Sequence, residues 1–352
     1  MQFSVSEELR TWTKEFSKNP ARRFVFGCNQ WGAEIQDVFG LAGFIDDVVS
    51  DTTYCGVPVI RSSEIPHDAL VVSAVLGIRP LTAKRKLLDL KINAIDYFDF
   101  YRANSEKLTE ISYWKGVQLD KTHNSQRYQE LKNSLADSES LRTLDAILQF
   151  RESCELSNMN GFTDRQIDQY FESFLTLGPE SVFYDVGAFD GETSAQFARR
   201  AVAYKEIHVF EPIASTYEKA KKNLSAYPDV HLHQFGLGAE YGEYKFESNG
   251  SASRPSDSGN ELCVIKPLDS VELTDPTFIK VDIEGAEMDF LYGASKTLGK
   301  TRPTLAIACY HDPEHIWSIF DFVSKILPTH AVYLRHYTEG FAETDLFFVP
   351  TA

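Results

Sequence analysis

Three acids crowd one short glycine-rich turn. In Val182-Phe183-Tyr184-Asp185-Val186-Gly187-Ala188-Phe189-Asp190-Gly191-Glu192-Thr193 an apolar run ends in Asp185, and Asp190 and Glu192 follow closely. A helical pattern comes next at Ala195, Ala198, Ala201 and Val202, so the segment reads strand, loop, helix. The loop is D-x-G-x-x-D-G, not the G-x-G-x-x-G that brings a backbone against a pyrophosphate. Carboxylates repel phosphate, so the ligand expected here carries positive charge. S-adenosyl-L-methionine does, on a sulfonium and an ammonium group. Its ribose diol also needs a carboxylate at the end of the next strand, and Ile207-His208-Val209-Phe210-Glu211-Pro212 supplies Glu211. Glu211 lies 24 positions after Gly187, near the roughly 20 of a dinucleotide fold. Asp185, Gly187, Ala188, Asp190, Gly191, Thr193, Glu211 and Pro212 are therefore the candidate donor-binding residues. The plain alternatives are an ordinary strand-to-helix turn and, for Glu211, a solvated strand end.

A second set suits proton transfer. Asp282 and Glu284, two residues apart, can point to one side while the chain is extended. Paired carboxylates raise one pKa, which suits a general base for a hydroxyl. His311 follows a later apolar run; an imidazole near neutral pH can take a proton from an alcohol, or join Asp282 in binding a divalent metal. The alternatives are an acid favouring a helix N-terminus for Glu284 and a capping neighbour without chemistry for His311, with Asp312 as the cap. Lys280 is placed to hold the Asp282 carboxylate or to form a plain salt bridge. Tyr310 and Tyr337 sit where an acceptor could stack.

These residues need a scaffold, and 352 residues with 43% hydrophobic side chains suffice for two or three domains. The formal charge of -16 repels phosphate backbones and anionic lipid, which argues against nucleic acid and membrane as partners. Five dispersed cysteines without C-x-x-C spacing, and a start without signal-peptide character, point to a cytoplasmic chain. After a short polar helix within residues 1–20, strands are expected at Phe24-Val25-Phe26, Gly43 to Asp47, Ala69 to Val75 and Ala94 to Phe98. A helix at Ile35, Val38, Phe39 and Ala42 and another across 82–90 alternate with them, giving a small doubly wound sheet. Residues 126–151 read as one or two helices. Further strands are expected near 182–186, 207–211, 230–235, 277–282, 304–310, 331–336 and 344–349. The loop before the last is too short for a parallel crossover, so that strand is antiparallel. A helix begins after Asp312-Pro313, and 248–259 is a polar, mobile loop expected near a pocket mouth.

Residues 126–352 resemble the FkbM-type family of S-adenosylmethionine-dependent methyltransferases. The matching words are Asp185 to Gly191, Phe210-Glu211-Pro212, Ile279-Lys280-Val281-Asp282-Ile283-Glu284-Gly285-Ala286-Glu287, and Arg335-His336-Tyr337 followed by Glu343-Thr344. The resemblance implies a class I methyltransferase fold whose fourth strand ends facing the transferred methyl group. That adds Asp282 to the donor contacts and makes Asp282, Glu284 and His311 the candidate catalytic residues. It also places Gly236 at the donor; Gly236-Leu237-Gly238-Ala239 stands where the family often has an asparagine before Ala-Leu-Gly. The implied reaction is O-methylation of a small-molecule or glycosyl acceptor, nucleotide-linked in one version. The N-terminal part resembles the nucleotide-binding-like domain preceding some sugar-modifying transferases, through Gly27, Gly32 and Phe44-Ile45-Asp46-Asp47, although Asn29 replaces the middle glycine.

The expected architecture is α/β. A Rossmann-like doubly wound domain (1–103) and a helical connector (104–178) precede a class I methyltransferase domain (179–352) with a seven-stranded sheet and a reversed last strand. The second sheet has its own core, so a cut near Asn104 is expected to leave a folded domain. Two other readings stay open: an inactive methyltransferase fold serving as a binding scaffold, and a nucleotide-sugar enzyme centred on the first domain.

Overall fold

The computed structural model describes residues 3–111, 114, 116–247, 254–255, 259 and 261–351. Most of the polar stretch 248–259 lies outside the described residues. The chain separates into two compact units, Met1–Gln118 with Leu144–Gln166 and Tyr337–Ala342, and Leu119–Thr143 with Ile167–His336 and Glu343–Ala352. Residues 104–178, read from sequence as a connector, are thus shared between the units. Among the described residues no helix is long and apolar enough to cross a membrane.

The first unit is built on six strands: β1 (Arg23–Phe26), β2 (Gly43–Ile45), β3 (Thr53–Tyr54), β4 (Val57–Ile60), β5 (Leu70–Ser73) and β6 (Asn93–Asp96). Their order is β3-β4-β2-β1-β5-β6, parallel except for the β3–β4 hairpin. This is the expected Rossmann-like sheet with an unforeseen hairpin at one edge. The strand expected over 94–98 stops at Asp96. Its carboxylate accepts the Asp99 N–H at 2.9 Å and caps the helix Tyr97–Asn104, so capping overrides the β preference of Tyr97 and Phe98. At the glycine turn, Asp46 accepts N–H groups from Cys28 (3.0 Å), Val48 (2.9 Å) and Val49 (3.0 Å). It thereby holds its own loop together.

The core of this unit extends well past Asn104. Phe150 packs 5.0 Å from Phe98 and 4.9 Å from Trp114, and Cys154, Leu156 and Met159 are buried in the same cluster. A cut near Asn104 would strip these side chains of their partners. Each buried large apolar group contributes roughly 1.5–3 kcal/mol. A fragment beginning at Ser105 is therefore expected to aggregate or melt without a cooperative transition. A soluble fragment with one sharp calorimetric transition would contradict this.

In the second unit the strands are β7 (Val182–Val186), β8 (Glu206–Phe210), β9 (Val230–His233), β10 (Gly236–Leu237), β11 (Gly242–Glu247), β12 (Arg254–Pro255), β13 (Glu261–Lys266), β14 (Phe278–Val281), β15 (Thr304–Ala308), β16 (His330–His336) and β17 (Thr344–Pro350). Seven of them form one sheet in the order β16-β17-β15-β14-β7-β8-β9. β17 runs antiparallel to both neighbours, which gives the class I methyltransferase arrangement. β7 and β14 are buried along their whole length, as expected for parallel strands covered on both faces. A small sheet, β10-β13-β11-β12, was not anticipated. The helix expected to start at Pro313 begins two residues later and spans His315–Ile326 with Glu314 at its N-cap. Asp312 instead accepts the Glu314 N–H at 2.8 Å and closes the preceding turn.

Candidate functional site

β7, β8 and β14 run parallel, and their C-terminal ends meet at a cleft of about 430 Å³. The first wall is the β7 turn. Gly187 has φ +76°, and a Cβ there would lie 2.0 Å from the Asp282 carbonyl oxygen. Only glycine lets the two strand ends approach so closely. The register pairs Lys280 with Asp185, and Lys280 Nζ lies 3.1 Å from Asp185 Oδ1 while donating to the Gly187 carbonyl at 2.6 Å. Lys280 therefore holds Asp185 and the turn, not Asp282. Burial is the largest influence and would lower the Lys280 pKa, but the charges of Asp185, Asp282 and Asp345 together outweigh it and raise it.

Several expected donor contacts are placed around this turn without lining the cleft. Asp185 is fully buried and accepts the Ser194 hydroxyl at 2.7 Å. Asp190 Oδ1 accepts the Glu192 N–H at 3.2 Å. Gly191, at φ +82°, packs where a Cβ would meet Leu224 Cδ1 at 2.8 Å. Ala188 is buried, and Thr193 lies one residue into the following helix. Gly187, Glu211, Pro212, Gly236, Asp282 and Glu284 do line the cleft together.

Glu211 directly follows β8 and is buried. It accepts N–H groups from Phe189 (3.0 Å) and Ile213 (2.9 Å) and the Thr216 hydroxyl (2.7 Å). Burial pushes its carboxyl up despite these bonds. Oε1 takes two of the three donors, so Oε2 keeps capacity for a hydroxyl. Beside it, Phe210, Ile213, Tyr244, Phe246 and Ile265 make an apolar wall. A Cβ on Gly236 would meet Ile265 Cδ1 at 2.6 Å, so this wall too approaches on a glycine.

Asp282, Glu284 and His311 converge at the end of β14. His311 Nε2 lies 3.6 Å from Asp282 Oδ1 and 3.5 Å from Glu284 Oε2, and Tyr170 donates its hydroxyl to Asp282 Oδ2 at 2.7 Å. Glu284 sits at φ +56°, a conformation costing roughly 1–2 kcal/mol in a residue with a Cβ. The anchor of this group is Glu287, which sequence reasoning passed over. Its Oε1 accepts the N–H groups of Ile283 (3.0 Å) and Gly285 (3.3 Å). It also lies 3.0 Å from His311 Nδ1, and Oε2 lies 3.2 Å from His315 Nδ1. The two histidine contacts have ion-pair distances without hydrogen-bond alignment. Burial favours a neutral Glu287, but the two histidines outweigh it and hold the carboxyl well below its usual range. Burial likewise lowers the His311 pKa, yet Glu287, Asp282 and Glu284 push it up to about 9.

That shift bears on the role expected of His311 as a proton acceptor. Raised in this way and set among three carboxylates, His311 favours the imidazolium form, which suits it to tie those carboxylates together. A second layer lies behind Asp282. Gln169 donates to Glu343 at 2.8 Å and to Asp345 at 3.1 Å. Burial, and then the Asp282 charge, push Glu343 up to about 7 and Asp345 well above its ordinary value. Both are held towards the neutral form, while Asp282 and Glu284 face the cleft. The ligand atoms of Asp282, Glu284 and His311 lie within 4.8 Å of one another, a spacing that also fits a divalent cation. Tyr310 packs against His311 with ring centroids 4.1 Å apart and the planes tilted by 35°. Tyr337 is fully buried in the first unit under Arg165, so it offers no acceptor a face.

Comparison with known proteins agrees with this geometry. The sequence model of the methyltransferase FkbM domain matches residues 185–335. The hexuronic acid methyltransferase AglP of Haloferax volcanii is 26% identical over 133 residues, 34% of this chain and 52% of that protein. The chain thus matches about half the length of that relative. The crystal structure of a methyltransferase FkbM from Methylobacillus flagellatus KT superposes with a TM-score of 0.78. It covers 99% of this chain and 94% of that one at 23% identity, a likeness of fold.

Proposed function

We propose that the chain methylates a hydroxyl oxygen on a glycosyl or other small-molecule acceptor, with S-adenosyl-L-methionine as donor; the match of residues 185–335 to the methyltransferase FkbM domain supports this reading. One observation carries this reading. Glu211 and the pair Asp282–Glu284 line the same cleft, on either side of a turn that only glycine can make. The cleft suits the donor: an apolar wall for a flat ring, a carboxylate with spare accepting capacity for hydroxyls, and acids at the far end for positive charge.

When bound, the donor supplies a methyl group on a sulfonium: an O–C bond forms, the C–S bond breaks, and its electron pair stays on sulfur. The protein's part is placement and proton removal. Asp282 or Glu284 takes the proton of the acceptor hydroxyl, and the His311 cation keeps both carboxylates in position. Tyr170 fixes the Asp282 rotamer from behind. Orientation of this kind supplies several kcal/mol, and a base adds about 10²–10⁴-fold. A second reading places a divalent cation on Asp282, Glu284 and His311, favoured by their spacing; full activity in excess EDTA would reject it.

The relative AglP, named for hexuronic acids, supplies the first acceptors to try. With tritium-labelled S-adenosylmethionine, label is expected to enter a glucuronide or the matching neutral glucoside. Donor binding without transfer to any sugar in a broad panel would favour an inactive binding protein. Transfer only to amines or carbon would overturn the hydroxyl assignment.

A further inference from the structure

A second cluster of ligand-type side chains lies outside the cleft, where β8 meets β9, the edge strand of the seven-stranded sheet. Glu206 and His208 are two apart on β8 and so share one face of the sheet. The register sets His231 of β9 directly beside His208. Their rings stack with centroids 4.9 Å apart, and one ligand atom from each of Glu206, His208 and His231 lies within 4.8 Å of the others. The three side chains border an open hollow of about 930 Å³ on the protein surface.

We propose that Glu206, His208 and His231 bind a divalent metal ion of the zinc class. Two imidazoles and a carboxylate are the donors such an ion prefers, with a fourth position left to water. Ligand atoms around tetrahedral zinc lie about 3.3 Å apart, and His208 Nε2 is already 3.0 Å from Glu206 Oε2. Only His231 must close in, and it is the exposed member.

The proton on His208 completes the case. His208 is buried, and its Nδ1 lies 3.1 Å from His233 Nε2. One proton occupies that contact. If His233 supplies it, His208 Nε2–H donates to Glu206 and the chain is closed. If His208 supplies it, the Nε2 lone pair faces the Glu206 carboxylate, and a cation between them is what that pairing needs. Metal-bound histidines usually donate their other ring N–H to a fixed acceptor, and His233 stands in that place. A bound ion would tie edge strand β9 to β8.

The test uses the full-length chain without a histidine tag, stripped with chelator, exchanged into chelator-free buffer and titrated calorimetrically with zinc chloride. The number of bound ions is expected to fall by one, or the affinity of one site by at least tenfold, in both His231→Ala and Glu206→Gln. His231 is exposed, so its variant keeps the fold, which is checked by an unchanged melting temperature in EDTA. Zinc should raise the melting temperature of the wild-type chain by more than that of either variant. His311→Gln separates the other acidic trio and must leave this ion in place. No binding by the wild-type chain, identical titrations for all three β8–β9 forms, or loss only in His311→Gln would overturn the proposal.

Discussion

Asp282→Asn is expected to lower methyl transfer at saturating donor by about 10²–10⁴-fold, the usual contribution of a positioned base. The carboxamide keeps the shape and an oxygen that can still accept the Tyr170 hydroxyl, which sits 2.7 Å from Oδ2. It loses the negative charge and the proton affinity. Glu284→Gln separates the pair: if Glu284 takes the proton, its variant carries the larger loss. Single-turnover rates with saturating donor read this directly. Equal rates for wild type and both variants would remove the acid pair from the chemistry. A fall confined to donor affinity would make Asp282 a binding residue only.

Gly187→Ala is expected to be the most damaging small change in the second unit. An alanine at φ +76° costs roughly 1–2 kcal/mol. Its Cβ would also lie 2.0 Å from the Asp282 carbonyl oxygen and 2.8 Å from Ile283 Cγ2, and overpacking of this kind costs about 1–3 kcal/mol. Together they remove about 2–5 kcal/mol from a total of about 5–15, and they push apart the strand ends that form the cleft. Denaturant midpoints and donor titrations should both fall. Gly178→Ala, whose Cβ would meet nothing within 4 Å, serves as the neutral control. Equal stability of Gly187→Ala and the control would show that the turn relaxes without cost.

The seven-stranded sheet was readable because β7, β8 and β14 are mostly apolar runs that carry or lead into the acids Asp185, Glu211 and Asp282, and the short last connection announced the reversed strand. The small sheet was missed for a different reason. In β11 the residues Glu243-Tyr244-Lys245-Phe246-Glu247 alternate polar and apolar, a period-2 signal, but they are short and pair locally. With them went Tyr244, Phe246 and Ile265 of the cleft wall. The segment 104–166 misled because its helices resemble a connector in sequence, while Phe150, Cys154, Leu156 and Met159 complete a core that begins at Trp12 and Phe16.

Among the site residues, the glycines and strand-end acids were legible because each needs a residue type few positions tolerate. What a partner decides was not. Lys280 turns to Asp185 because β7 and β14 align them, a register no local pattern encodes. The His311 pKa is raised because Glu287, Asp282 and Glu284 surround it, and Asp282 and Glu284 lie on a loop 27–29 residues away. Glu287 itself left one sequence cue: it stands at the start of the helix that follows Glu284-Gly285, where an acid can accept backbone N–H groups.

The central claim is that the cleft at the ends of β7, β8 and β14 holds S-adenosylmethionine with Glu211 on its hydroxyls. Calorimetric titration of the full chain, wild type against Glu211→Ala, tests it most directly. One donor molecule should bind per chain, and Glu211→Ala should weaken it tenfold or more, since a hydrogen bond to a charged group contributes about 1.5–3 kcal/mol. No heat with the wild-type chain, or equal affinity in a folded Glu211→Ala variant, would contradict the account.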